Sequence, residues 1–214
     1  MDKAVRDFVE KSLERLRANK VQVIMLHHYQ DIESYGDRLV LAMKKLRSEG
    51  LTDRIGVSVY HPSEIEAVLK LREFDAIQIP LNIMDGRPLK SGVLKMLERE
   101  KMLVFVRSVF LQGLFFKDAD ELPPVLQCAR EYLAHLRRIA DNENISVAQL
   151  AFVYVRDLPG VTSLVVGAET PEQVRQNLQL VNAPPLSEKA AAEIRKVFES
   201  VPEIILNPLK WRDN

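Results

Sequence analysis

Short apolar runs rich in β-branched residues alternate with longer amphipathic stretches along this chain, and no run is joined to the next by a hairpin signal. That alternation constrains the fold more than any other feature. Strands separated by helices lie parallel, whereas antiparallel neighbours need only a tight turn. The runs are residues 21–26, 55–59, 76–80, 103–107 and 162–166. The first, Val-Gln-Val-Ile-Met-Leu, is apolar on both faces and reads as a strand buried from both sides. Ahead of it, Ala4, Phe8, Val9, Leu13 and Leu16 recur at helical spacing through residues 2–19. Helical patterning returns over 36–49 with Gly50 as its stop, after Pro62, over 90–100, over 125–141, from Ser146, from Thr170-Pro171 and from Ser187. The fold class this predicts is α/β with a parallel sheet.

Composition narrows the partners. The 214 residues carry 30 Lys+Arg against 30 Asp+Glu, which removes any bulk attraction to nucleic acid or an anionic membrane. A single cysteine, Cys128, excludes a disulfide framework within the chain and any all-cysteine zinc site. No apolar run approaches a membrane span, and the first residues carry no apolar signal core. The expectation is a soluble, cytoplasmic protein with one domain over 1–200 and a tail over 201–214 that carries Trp211.

Ligands of parallel α/β folds sit at the C-terminal ends of strands. There the chain places His27, Ser58, Gln78, Arg107, Ser108 and the Gly167-Ala168 turn. His27 suits an acid, a base or a hydrogen-bond donor to a carbonyl, and equally a buried histidine satisfied by backbone. Ser58 and Gln78 suit a planar amide ligand, or else bond a neighbouring loop. Gly167 to Pro171 leaves backbone N–H groups for a phosphate, or forms a plain turn. No metal site is expected: His27 and His28 would point apart on a strand, and His61 and His135 lack ligand spacing. No GxGxxG or P-loop sequence occurs.

Five segments in order resemble the aldo-keto reductases. They are Val-Ile-Met-Leu-His27-His28, Ile55-Gly-Val-Ser58, Gln78-Ile-Pro-Leu-Asn82-Ile-Met-Asp85, Arg107-Ser-Val-Phe110-Leu-Gln-Gly-Leu114 and Gly167-Ala-Glu-Thr-Pro-Glu-Gln173-Val-Arg-Gln-Asn177. The resemblance implies a TIM-type (β/α) barrel, here a partial one of about five βα units. It also implies NADP or NAD as cofactor, and hydride transfer to an aldehyde, ketone or sugar carbonyl. By the same resemblance His27 orients the carbonyl, and Ser58 and Gln78 hold the nicotinamide. Ser108 and Phe110 cover the pyrophosphate, and Gly167, Gln173 and Asn177 meet the adenosine end.

Departures from the family pattern matter. Val59 stands where an asparagine is usual, Arg107 replaces a stacking aromatic, and Glu169 occupies a position often basic, which weakly favours NAD over NADP. The family's tyrosine acid, aspartate and lysine come before the histidine strand, and here only one helix and one strand precede His27. All five tyrosines (Tyr29, Tyr35, Tyr60, Tyr132, Tyr154) lie after it. The chain therefore reads as truncated, short of three βα units and impaired or inactive alone. The alternative is a non-enzymatic nucleotide- or partner-binding module. It would self-associate, or pair with the missing strands, through exposed sheet edges.

Overall fold

The computed structural model describes Asp2–Trp211. Its elements run α1 (Asp2–Leu16), β1 (Val21–Leu26), α2 (Gln30–Tyr35), α3 (Asp37–Ser48), β2 (Thr52–Ser58), α4 (Pro62–Leu71), β3 (Ala76–Pro80), α5 (Arg87–Lys90), α6 (Val93–Arg99) and β4 (Leu103–Arg107). After three 3₁₀ segments come α7 (Arg130–Asn142), α8 (Val147–Arg156), β5 (Ser163–Leu164), α9 (Pro171–Val181), α10 (Glu188–Val197) and α11 (Glu203–Leu206). The strands form one parallel sheet in the order β1-β2-β3-β4-β5, the α/β class expected from the alternation. The chain divides into two compact units. One holds the residues up to Ile79 with Lys95–Phe105; the other holds Pro80–Leu94 and the residues from Val106 onward.

In the first unit β1 pairs with β2 from Val21↔Thr52 to Leu26↔Val57, and β2 pairs with β3 through Gly56↔Ala76 and Ser58↔Gln78. Gly56 is required by this pairing, since a Cβ there would lie 2.7 Å from the Ala76 carbonyl oxygen. The core is built from Ile55, Val57, Val59, Ile77 and Ile79 of the sheet region with Leu39, Val40, Met43 and Leu46 of α3 and Ile65 and Val68 of α4. Each such side chain contributes about 1.5–3 kcal/mol on burial. Asp75 ties the start of the sheet to α3, its carboxylate accepting from the Ile55 N–H at 3.1 Å and from Arg47 at 2.9 Å.

In the second unit α8 is apolar all round, and Leu150 through Val155 are buried in succession, as a helix enclosed on every side requires. Leu133, Leu136 and Ile139 of α7 and Ala190 and Ile194 of α10 present one stripe each. Ser146, Thr170 and Ser187 each accept a backbone N–H from three residues on, so all three caps stand where the sequence put them. Arg156 closes the far end of α9 by donating to the carbonyls of Leu180, Val181 and Ala183. Trp211 donates its indole N–H to the Ile204 carbonyl at 2.7 Å, and the last three residues of the expected tail lie outside the described residues.

Several expectations are corrected. None of the six β1 residues is buried, because β1 is the edge of the sheet and has a neighbour on one side only. Residues 30–35 form a helix of their own, which the patterning missed. The helix expected over 90–100 begins only at Val93, after Gly92 with φ 70°, and Arg87–Lys90 form a separate short helix. Pro123 and Pro124 turn the first part of 125–141 into 3₁₀ structure. The fifth run is strand over Ser163–Leu164 alone, with the Val165 N–H also donating to the Val106 carbonyl at 2.7 Å.

Candidate functional site

In the first unit, parallel register sets Ser58 and Gln78 side by side on one face, since paired residues of adjacent strands point the same way. Ser58 is buried and donates its hydroxyl to Gln78 Oε1 at 3.2 Å. That bond holds the Gln78 amide with its NH₂ turned away from the serine. The Val59 side chain is fully buried, and its N–H donates to the Gln78 carbonyl at 2.9 Å. The position where an asparagine is usual therefore serves the core.

His27 is exposed, which sets aside the buried histidine satisfied by backbone. Its ring lies edge-on to His28 with centroids 4.2 Å apart. The two do not point apart as strand residues would, because both follow the last residue of β1 and strand alternation has ended. His28 in turn lies nearly parallel to Tyr60, at 6.5 Å and 25°. Among the described residues no three His, Cys, Asp or Glu side chains gather to hold a metal ion. Burial, and after it the charges of Glu33 and Glu64, push the Tyr29 phenol above its ordinary value. A tyrosine acid activated by a cation would move the other way.

Glu64 is a residue the sequence reading passed over. Buried on the first turn of α4, it accepts from the backbone N–H of Tyr60 at 2.6 Å and of His61 at 3.1 Å, and from the Gln30 side chain at 2.6 Å. One carboxylate thus joins the segment after β1 to the segment after β2. The available signal was a glutamate on the third residue of a helix begun by Pro62, the position from which a side chain reaches back to the cap.

In the second unit Arg107 ends β4 and donates to the Ser108 hydroxyl at 3.3 Å. Ser108, Leu111, Gln112 and Gly113 all hold positive φ, between 47° and 81°, so this loop bends through left-handed backbone that only glycine adopts freely. Phe110 is half-buried and packs at 5.4 Å from Phe116 and 6.5 Å from Phe152. Beyond β5, Gln173 accepts from the Glu169 N–H at 2.6 Å, Thr170 accepts from the Gln173 N–H, and Asn177 donates to the Gly167 carbonyl at 3.5 Å. Gly167, Glu169, Gln173 and Asn177 are therefore brought together around one turn. Glu169 is exposed, and a Cβ on Gly167 would meet nothing within 4 Å.

Ser58 and Gln78 thus place a hydroxyl and an amide together on the sheet of the first unit, and in the second Gly167 to Asn177 form an exposed turn at the start of α9. A family model described as the aldo/keto reductase family matches residues 2–199. An uncharacterized oxidoreductase of Bacillus subtilis, YqkF, is 27% identical over 86% of this chain and 62% of its own length. The NADH-specific methylglyoxal reductase of Escherichia coli is 24% identical over 92% of this chain and 65% of its own. Among solved structures, the holo form of the aldo-keto reductase AKR11C1 from Bacillus halodurans superposes with a TM-score of 0.76 at 25% identity, over 92% of this chain and 65% of that one. The chain thus spans less than two thirds of the length of these relatives. No helix among the described residues is long and apolar enough to cross a membrane.

Proposed function

Because the chain belongs to the aldo/keto reductase family, we propose that it is a nicotinamide-binding part of a carbonyl oxidoreductase, a partial (β/α) barrel of five βα units. The observation that carries this reading is the Ser58–Gln78 pair, at the end of β2 and the middle of β3, fixed in register and joined by its own hydrogen bond. When bound, a nicotinamide dinucleotide would supply the hydride. Ser58 and Gln78 hold its carboxamide, and Arg107 lies along the ring as a guanidinium plane. Ser108 and Phe110 cover the pyrophosphate, and the turn of Gly167, Glu169, Gln173 and Asn177 takes the adenosine end. Glu169 accepts from a ribose hydroxyl and repels a 2′-phosphate, which favours NAD, in keeping with the name of the Escherichia coli relative. His27 donates a hydrogen bond to the substrate carbonyl.

The proton donor is the missing part. All five tyrosines follow His27, and burial raises the phenols of Tyr29 and Tyr154. General acid assistance contributes about 10²–10⁴-fold, so the chain alone reduces carbonyls slowly or not at all. The test is a fluorescence titration with NADH and NADPH, followed by absorbance loss with nitrobenzaldehyde. We expect NADH to bind and the Ser58→Ala/Gln78→Ala variant to weaken binding about tenfold, the worth of one or two hydrogen bonds. Unchanged binding in that variant sinks the assignment of the pair, and turnover at ordinary enzyme rates sinks the claim that the tyrosine matters.

The second reading, a module that associates with itself or with strands from another chain, rests on the sheet edges. No residue of β1 is buried, and neither is any residue of α9, where Val174, Leu178 and Val181 form an exposed apolar stripe. A soluble monomer by light scattering, at all concentrations, would count against it.

A further inference from the structure

The second unit carries a cavity that the strand-end residues do not touch. It measures about 240 Å³ and opens between the segment that follows β3 and helices α8 and α10. Ile83, Leu89, Ile194 and Phe198 form its apolar walls. Its polar groups are Lys90, Tyr154, Arg195 and Glu199. Lys90 and Glu199 answer one another: the lysine donates to the Glu199 carbonyl at 2.7 Å and stands 3.3 Å from its carboxylate.

Two groups are left. Tyr154 is only 8% exposed, yet its hydroxyl makes no hydrogen bond with a described residue. No fully buried side-chain oxygen or nitrogen among the described residues lacks a partner, so the Tyr154 hydroxyl oxygen is itself accessible, and the residue lines this cavity. Arg195, on the last turn of α10, forms no ion pair with a described residue. Its charge nevertheless reaches the phenol and opposes the upward push of burial on Tyr154. An accessible O–H donor and a guanidinium without an ion pair among the described residues therefore line the same apolar recess.

We propose that this cavity binds a small monocarboxylate with a short apolar chain, its carboxylate accepting from the Tyr154 hydroxyl and pairing with Arg195, its chain lying on Ile83, Leu89, Ile194 and Phe198. The volume is below the roughly 300–1,000 Å³ of pockets for drug-sized ligands, which limits the occupant to a small molecule. Charge limits it further. An ammonium would be repelled by Arg195, a neutral alcohol would gain nothing from the guanidinium's charge, and a second carboxylate would meet Glu199. This site is independent of the cofactor reading and survives its failure.

The test uses the whole chain with hexanoate, hexylammonium and hexanol as probes. Methyl shifts of Ile83, Leu89 and Ile194 are followed by NMR titration. Hexanoate is expected to shift these methyls and to bind about tenfold more tightly than the other two probes. Tyr154→Phe and Arg195→Gln should each weaken it about tenfold. Arg195 is exposed, so its variant keeps the fold and an unchanged melting curve. The Ser58→Ala/Gln78→Ala variant should bind hexanoate as the parent does. Equal binding of the three probes, hexanoate binding untouched in Arg195→Gln, or no shift with hexanoate overturns the proposal.

Discussion

Single residues decide how closely the strands and segments of this protein approach one another. Gly56→Ala places a methyl 2.7 Å from a backbone oxygen that cannot give way, so we expect a loss of about 1–3 kcal/mol in urea denaturation. Glu64→Ala leaves the Tyr60 and His61 N–H groups without their acceptor and should cost about 1–3 kcal/mol, while Glu64→Gln keeps an acceptor oxygen and recovers most of it. Burial raises the Tyr154 phenol against the opposing charge of Arg195. The unfolded chain therefore ionises this tyrosine first as pH rises, and the stability it contributes is complete below pH 10 and lost above it. Tyr154→Phe should remove one tyrosinate absorbance step above pH 10 and flatten the alkaline loss of stability. Ser58 and Gln78 were legible in the sequence because each is a polar residue set in an apolar, β-rich run. Glu64 was not, because one of its partners, Gln30, belongs to a short helix with no apolar period of its own.

At the scale of elements, local chemistry accounts for the boundaries that were foreseen. Ser146, Thr170 and Ser187 cap helices in positions set by their own hydroxyls and the three residues that follow. Ser187 does more: its hydroxyl also donates to Glu143 at 2.7 Å, at the end of α7. We expect Ser187→Ala to lower stability by about 1–2 kcal/mol, with the loss seen first as faster amide exchange in the first turn of α10. β1 shows the limit of this kind of reading. Its composition suits a strand covered on both faces, but an apolar run does not state how many neighbours it has, and here it has one.

For the whole molecule, the match to residues 2–199 establishes the family, while the relatives extend well beyond the length this chain spans. The exposed stripe of α9 makes a further prediction under the self-association reading. Leu178→Lys should lower the mass measured by light scattering without changing the melting curve, since Leu178 is 60% exposed. An unchanged mass would remove α9 from any such contact. By itself the sequence determined the alternation of strand and helix, the parallel sheet and the caps, because each depends on residues within a few positions of one another. Tertiary structure alone decided that no residue of β1 is buried, that Ser58 bonds Gln78, that Glu64 joins two segments, and that Ile83, Tyr154 and Arg195 line one cavity. Those facts depend on residues tens of positions apart, whose meeting is set by register and packing.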